Sequence, residues 1–108
     1  MISLFKVHTP STIDKPLLDT LHSGFITQGP KVDEFEGRVA DFLGTKNVVA
    51  LNSGTSALTL AMRLAGIGPG DEVITTAMTC TATNLPVLSL GASIVFADCD
   101  PITGNINT

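Results

Sequence analysis

An apolar run that breaks into small polar residues and then resumes constrains this chain more than any other feature. Val48-Val49-Ala50-Leu51 is apolar and mostly β-branched, Asn52-Ser53-Gly54-Thr55-Ser56 is small and polar, and Ala57-Leu58-Thr59-Leu60-Ala61-Met62 is apolar again. This order predicts a strand, a tight turn and a helix. Gly54 has no Cβ to hinder the turn, and the helix start leaves N–H groups unpaired.

The same turn is a candidate anion site. Thr55 and Ser56 add two hydroxyls to the free N–H groups. The positive end of the helix dipole would contribute a further 0.3–1 kcal/mol or so when exposed. We predict that Gly54, Thr55 and Ser56 bind a phosphate, and an ordinary capped turn between strand and helix is the alternative.

Composition excludes several classes of partner. The 108 residues suffice for one domain, and 44% hydrophobic with 15% charged residues is a globular composition. A net charge of -4 with six scattered Lys and Arg predicts neither nucleic-acid nor membrane binding. Cys80 and Cys99 form no metal or redox motif, and without a signal-peptide pattern they suggest reduced thiols in the cytoplasm. His8 and His22 have no metal-ligand spacing.

Two helices are predicted before the central stretch. Ser11 or Thr12 can cap the first, which would run to about His22. Residues 30–43 have apolar side chains three and four positions apart, at Val32, Phe35, Val39 and Phe42, which predicts an amphipathic helix that ends at Gly44.

Two features accompany these helices. Phe25 and Ile26 lie in a loop bounded by glycine and proline, and apolar residues in such a loop indicate a ligand or partner surface. The acidic run Asp33-Glu34-Glu36 is interpreted as a solvated helix start that favours the helix dipole.

The second half alternates strands and a helix. Residues 71–76 and 93–97 are predicted strands, and Thr81 or Thr83 can cap the helix between them, which ends at Gly91. Alternation of this kind predicts a layered α/β fold with parallel strands. The polar residues that follow the first of these strands would then share a sheet edge with the Gly54 turn, so both turns could face one site.

With these residues placed, the sequence resembles the amino-terminal part of the DegT/DnrJ/StrS family of pyridoxal-phosphate (PLP) dependent nucleotide-sugar aminotransferases. The resemblance implies an α/β fold: the start of the large domain of the aspartate aminotransferase type (PLP fold type I), a mostly parallel sheet with flanking helices. Residues 1–30 would form the amino-terminal helix and loop, and residues 31–108 the start of the α/β sandwich. The motifs that carry the resemblance are Ser23-Gly24-Phe25-Ile26-Thr27-Gln28-Gly29-Pro30, Leu51-Asn52-Ser53-Gly54-Thr55-Ser56-Ala57, Gly68-Pro69-Gly70-Asp71-Glu72-Val73-Ile74, Gly91-Ala92 and Asp98-Cys99-Asp100-Pro101.

The resemblance also implies a function. This function is the transfer of an amino group from glutamate to a nucleotide-linked keto-sugar, in amino-sugar or surface polysaccharide biosynthesis. The resemblance also implies that the enzyme is a cytoplasmic homodimer. By resemblance the Gly54-Thr55-Ser56 turn holds the PLP phosphate. Cys80 occupies the position at which the family places an aromatic ring against the face of PLP, so this chain departs from the family there. The alternative interpretation is that Cys80 is only a residue at the start of a helix. The loop residues Phe25, Thr27 and Gln28 are expected to contact substrate or the second subunit.

No catalytic residue is assigned within this chain. The family's Schiff-base lysine and the carboxylate that keeps the pyridine nitrogen protonated lie beyond the position that matches Thr108, and the four lysines here match no such motif. The chain is therefore expected to be an inactive fragment in which the strand around Val49 lacks its partner. A sugar dehydratase of the same family and a stand-alone phosphate-binding module are the alternatives.

Overall fold

A computed structural model describes residues 2–3 and 5–107. The chain divides into two compact units between Ala50 and Leu51, and each unit is described by itself. The expected division at residue 30 concerns the complete fold and stays a prediction.

The first unit holds helices α1 (Asp14–Ser23) and α2 (Pro30–Leu43). The predicted cap of α1 by Ser11 or Thr12 is wrong, because the helix begins after Ile13 and has no side-chain cap. Ile13 occupies the N-cap position with helical dihedral angles, and its amide donates to the Pro10 carbonyl at 3.1 Å, so Thr12 and Ser11 lie one and two residues before the cap. The helix ends at Gly24, whose φ of +81° is left-handed.

Helix α2 begins and ends where the sequence predicts, at Pro30 and before Gly44. Its half-buried face differs from the predicted one, since Phe35 and Phe42 are 57% and 89% exposed. The half-buried positions are Val32, Glu36, Val39 and Ala40. Glu36 is therefore not part of a solvated helix start, as the acidic run had suggested.

The predicted strand at residues 48–51 is not formed. A strand requires a hydrogen-bonded neighbour, and no described strand pairs with this segment. The expectation that this segment pairs with a strand outside these residues stays a prediction. Burial still alternates, with Val48 and Ala50 half-buried and Val49 69% exposed.

The second unit is a parallel strand pair with two helices. It contains α3 (Gly54–Leu64), β1 (Glu72–Thr76), α4 (Thr81–Ser89) and β2 (Ser93–Ala97). β1 and β2 pair in parallel from Glu72↔Ser93 to Thr76↔Ala97, as predicted. Helix α4 packs against both α3 and β2. Among the described residues the buried ones are few: Pro86, Val87, Leu90 and Ala92, of which Pro86 and Val87 are fully buried.

A tight turn follows β2. Asp100 Oδ1 accepts hydrogen bonds from the amides of Ile102 and Thr103 at 2.9 and 2.7 Å and from the Thr103 hydroxyl at 3.1 Å. The backbone amides of Thr103 and Ile102 lower the pKa of the Asp100 carboxyl from its ordinary value of 3.8, because they stabilise the charged form. This turn is thus held by a carboxylate.

Much apolar surface is uncovered in the described residues. Ile74 on β1 and Phe96 on β2 are 68% and 59% exposed. The accessible surface is 8904 Å² for a mass of 11.2 kDa. Two separate compact bodies of half that mass would together expose roughly 6900 Å². Neither unit therefore buries its apolar residues as a complete domain does.

Candidate cofactor site

Ser53 determines where helix α3 begins. Its extended backbone (φ −161°, ψ 158°) turns into the helix, and its hydroxyl accepts a hydrogen bond from the Ser56 amide at 3.1 Å. Its carbonyl accepts the first helical bond, from the Ala57 amide. Ser53 is thus the N-cap, a role that sequence analysis did not assign. The signal was the Ser53–Ser56 spacing, in which a capping hydroxyl lies three residues before the amide it satisfies.

The hydroxyl of Ser56 is occupied inside the protein. It donates to Asn52 Oδ1 at 2.7 Å and accepts from the Ser53 hydroxyl at 3.0 Å. A hydroxyl has one proton to donate, so Ser56 could bond an anion only by releasing Asn52. Asn52 is a second residue that sequence analysis missed.

Three other donors at this helix start are free. Among the hydrogen bonds of residues 2–3 and 5–107, none engages the amides of Gly54 and Thr55 or the Thr55 hydroxyl. Thr55 contributes only its carbonyl, which accepts from the Thr59 hydroxyl one turn later. The predicted residues Gly54 and Thr55 therefore present a cluster of unpaired donors at the positive end of an 11-residue helix.

The backbone at Gly54 does not require glycine in the way that the sequence suggests. Its φ is not left-handed, so the predicted conformational need for glycine in the turn is wrong. A Cβ built at Gly54 would meet no atom within 4 Å. The absent side chain instead leaves open space beside the free amides, and a ligand oxygen can approach them there.

Cys80 is the N-cap residue of α4, with an exposed free thiol that makes no capping bond. The prediction that Thr81 or Thr83 caps this helix is wrong. Thr81 is already helical, and the Thr83 hydroxyl accepts from the Thr79 hydroxyl at 3.2 Å. In the described part of the chain no hydrogen bond joins Cys80 to the start of α3, so its position over a cofactor ring stays a prediction.

Asn84 fixes the start of α4 against the end of β1. Its Oδ1 accepts from the Thr75 hydroxyl at 2.9 Å, and its Nδ2 donates to the Thr76 carbonyl at 3.5 Å. Strand, turn and helix are thereby tied at the carboxyl-terminal edge of the strand, where α/β proteins bind ligands.

The loop residues Phe25, Thr27 and Gln28 lie on the surface of the first unit. Phe25 is 57% exposed, and its side chain lies against Gly29, where an added Cβ would lie 2.7 Å from Phe25 Cβ. Phe25 also lines a cavity of about 150 Å³ with residues of α1 and α2. The loop is thus held in shape while its side chains stay accessible, and its role in substrate or subunit contact is untested.

Two further properties bear on the site. Within the described residues no three potential ligand side chains cluster to hold a metal ion. Nor does any described helix have the length and apolar content to span a bilayer.

The parallel strand pair with its two helices defines an α/β protein, and comparison with known proteins specifies its family. The DegT/DnrJ/EryC1/StrS aminotransferase family model matches residues 9–108, and the chain belongs to this family. The chain is 51% identical over 89 residues to SpsC, a spore coat polysaccharide biosynthesis protein of Bacillus subtilis, a match covering 82% of this chain and 23% of SpsC. It is 43% identical over 95 residues to a UDP-2-acetamido-2-deoxy-3-oxo-D-glucuronate aminotransferase of Pseudomonas aeruginosa, covering 88% of this chain and 26% of that protein.

Solved structures of similar proteins support the same family. A candidate sugar aminotransferase from Streptococcus pneumoniae, solved in PLP, PMP (the aminated cofactor) and apo forms, superimposes with a TM-score of 0.82 at 40% identity. The PLP-form match covers 93% of this chain and 26% of the pneumococcal one. These findings confirm the predicted family and fold class. The chain spans about a quarter of the length of these relatives.

Proposed function

We propose that this chain forms the phosphate-binding start of a PLP-dependent aminotransferase that acts on a nucleotide-linked keto-sugar. Glutamate is the proposed amino donor, and amino-sugar or surface polysaccharide biosynthesis in the cytoplasm the proposed context. The observation that carries the proposal is the pair of unpaired amides at Gly54 and Thr55, in a chain that belongs to a family of sugar aminotransferases.

The donors of this chain fit the PLP phosphate. A phosphate accepts several hydrogen bonds and carries negative charge, which the free amides, the Thr55 hydroxyl and the helix dipole all favour. The open space at Gly54 admits a phosphate oxygen. The pneumococcal relative, solved with PLP and with PMP, supports this choice of cofactor.

The residues of this chain would hold and orient the cofactor. Ser53 stabilises the helix start and so keeps the donors in place, while Gly54 and Thr55 bind the phosphate end of the molecule. When bound, PLP supplies the electron sink that amino-group transfer requires. We assign no catalytic residue within these 108 residues; Lys15 and Lys31 are engaged in exposed ion pairs with Asp19 and Glu34. Phe25, Thr27 and Gln28 are proposed to contact substrate or the second subunit of a homodimer.

The test uses the full-length gene product. Adding L-glutamate should convert the PLP form to the PMP form and release 2-oxoglutarate, as seen by absorbance and by chromatography. A UDP-linked keto-sugar should then restore the PLP form and yield an amino sugar. A cofactor that glutamate leaves unchanged while the sugar is dehydrated would make the protein a dehydratase. Failure to bind PLP at all would favour a stand-alone phosphate-binding module.

A further inference from the structure

One carboxylate of α2 holds the segment that leads to the phosphate-binding turn. Glu36 Oε1 accepts a hydrogen bond from the Ala50 amide at 2.7 Å, and both residues are half-buried. Fourteen residues separate donor and acceptor, so the bond joins a helix to a segment outside it. From this contact we infer that Glu36 is a positioning residue for cofactor binding, an inference that rests on the function proposed above.

The surroundings of Glu36 distinguish it from other acidic residues of α2. Asp33, Glu34 and Asp41 are exposed, and Glu34 pairs with Lys31 and Arg38 at the surface. Glu36 lies on the face where the half-buried neighbours are valine and alanine. A carboxylate on an apolar face is costly unless a donor satisfies it, and the Ala50 amide supplies that donor.

The bond acts where a neighbouring strand would otherwise pair. In a strand the Ala50 amide would donate to a neighbouring strand, and here Glu36 accepts that hydrogen bond instead. Glu36 thus replaces a strand neighbour on one edge of the segment. It fixes the position of the segment along α2 without a β-ladder.

The anchored amide is close to the phosphate donors along the chain. Ala50 is two residues before Asn52, so at most about 7 Å of extended backbone separates them. Asn52 Oδ1 in turn accepts from Ser56 at the start of α3. Because binding sites lose affinity when their groups shift by fractions of an ångström, freeing Ala50 would loosen the donors at Gly54 and Thr55.

Three variants of the full-length protein test this inference. Glu36→Ala removes the acceptor, whereas Glu36→Gln keeps an Oε1 acceptor on a side chain of the same length. Glu34→Ala is a matched control on the exposed side of α2. We expect Glu36→Ala to speed hydrogen exchange of the Ala50 amide and to weaken PLP binding about tenfold, or about 1.4 kcal/mol. Glu36→Gln should restore both properties, and Glu34→Ala should change neither.

Several results would overturn the inference. If Glu36→Ala lowers the melting temperature yet leaves the PLP dissociation constant within about twofold of wild type, Glu36 is structural only. If Glu36→Ala does not fold, Glu36→Asp, which shortens the side chain by one methylene, must weaken PLP binding more than Glu36→Gln does. Failure of the proposed function is distinguishable, because Thr55→Val would then also leave PLP binding unchanged.

Discussion

Replacing Thr55 by valine separates the two hydroxyls that sequence analysis treated as equivalent. The substitution removes the Thr55 hydroxyl, keeps the β-branched shape and leaves the backbone amide in place. In the structure this hydroxyl has no partner among the described residues, whereas the Ser56 hydroxyl is bonded on both sides. We therefore expect Thr55→Val to weaken PLP binding far more than Ser56→Ala does.

The structure sets the size of each effect. A hydrogen bond to a charged group contributes about 1.5–3 kcal/mol, and Thr55 is half-buried, so we take the lower end and expect roughly a tenfold loss of affinity. Ser56→Ala removes two neutral hydrogen bonds that do not reach the ligand. Its effect on PLP affinity should stay below about threefold, since it acts only through the order of the helix start.

The assay is a titration of the full-length apoprotein with PLP, followed by absorbance or fluorescence. Thr59→Val is the matched control, because Thr59 lies one turn later on α3 and its hydroxyl donates to the Thr55 carbonyl, away from the free amides. An unchanged dissociation constant for Thr55→Val would refute the assignment of its hydroxyl. A larger loss for Ser56→Ala would show that Ser56 releases Asn52 to bind the phosphate.

Three further predictions concern the rest of the chain. The pKa of Asp100 is lowered by its bonds to Thr103 and Ile102, so the stabilisation is complete above the carboxyl's ordinary value of 3.8 and is lost as the pH falls through the lower folded value. The protection of the Ile102 and Thr103 amides, measured as their exchange rate relative to an unstructured peptide at the same pH, should fall in that acid range, and Asp100→Asn should abolish this pH dependence. Cys80→Tyr should tighten PLP binding in the full-length protein, and PLP should protect Cys80 from thiol reagents; equal labelling with and without PLP contradicts its placement. Residues 1–108 alone should oligomerise or aggregate, because their apolar surface is uncovered; a compact monomer with cooperative unfolding in sedimentation and melting experiments would contradict this.

Local signals predicted much of the fold. Helix α2 was placed from its apolar spacing, from proline at its start and from Gly44 at its end. β2 was placed correctly, β1 to within one residue, and their parallel pairing followed from the alternation of strand and helix. These features depend on residues near one another in sequence, which is where pattern and propensity are informative.

The sequence-based predictions were wrong where the structure depends on a contact between residues distant in sequence, or on the detailed path of the backbone. The segment around Val49 has the composition of a strand, but strand formation depends on a partner that its own residues do not specify. Glu36 looked solvated within its acidic run, since nothing local reveals a bond to the amide of Ala50. The caps of α1 and α4 were misplaced because several hydroxyls stood near each helix start, and only the backbone path selects among them.

The hydrogen bonds that organise the candidate site were not predicted in detail. Gly54 and Thr55 have free donors among the described residues, and their role in binding a phosphate stays a prediction. The roles of Ser53 and Asn52 were missed, because a side chain that organises a helix start has the same residue type as one that binds a ligand. In a short polar stretch, the sequence pattern is the same whether a given hydroxyl caps the helix or binds a ligand.

The central claim is that the amides of Gly54 and Thr55 bind the phosphate of PLP. The direct test is to follow both amides by nitrogen-15 NMR in the full-length protein while adding PLP and, separately, pyridoxal, which lacks the phosphate. We predict that PLP shifts both amide protons downfield, as hydrogen bonds to an anion do, and that pyridoxal leaves them near their free positions. Amides that stay unshifted at saturating PLP, or that shift equally with pyridoxal, would contradict the account.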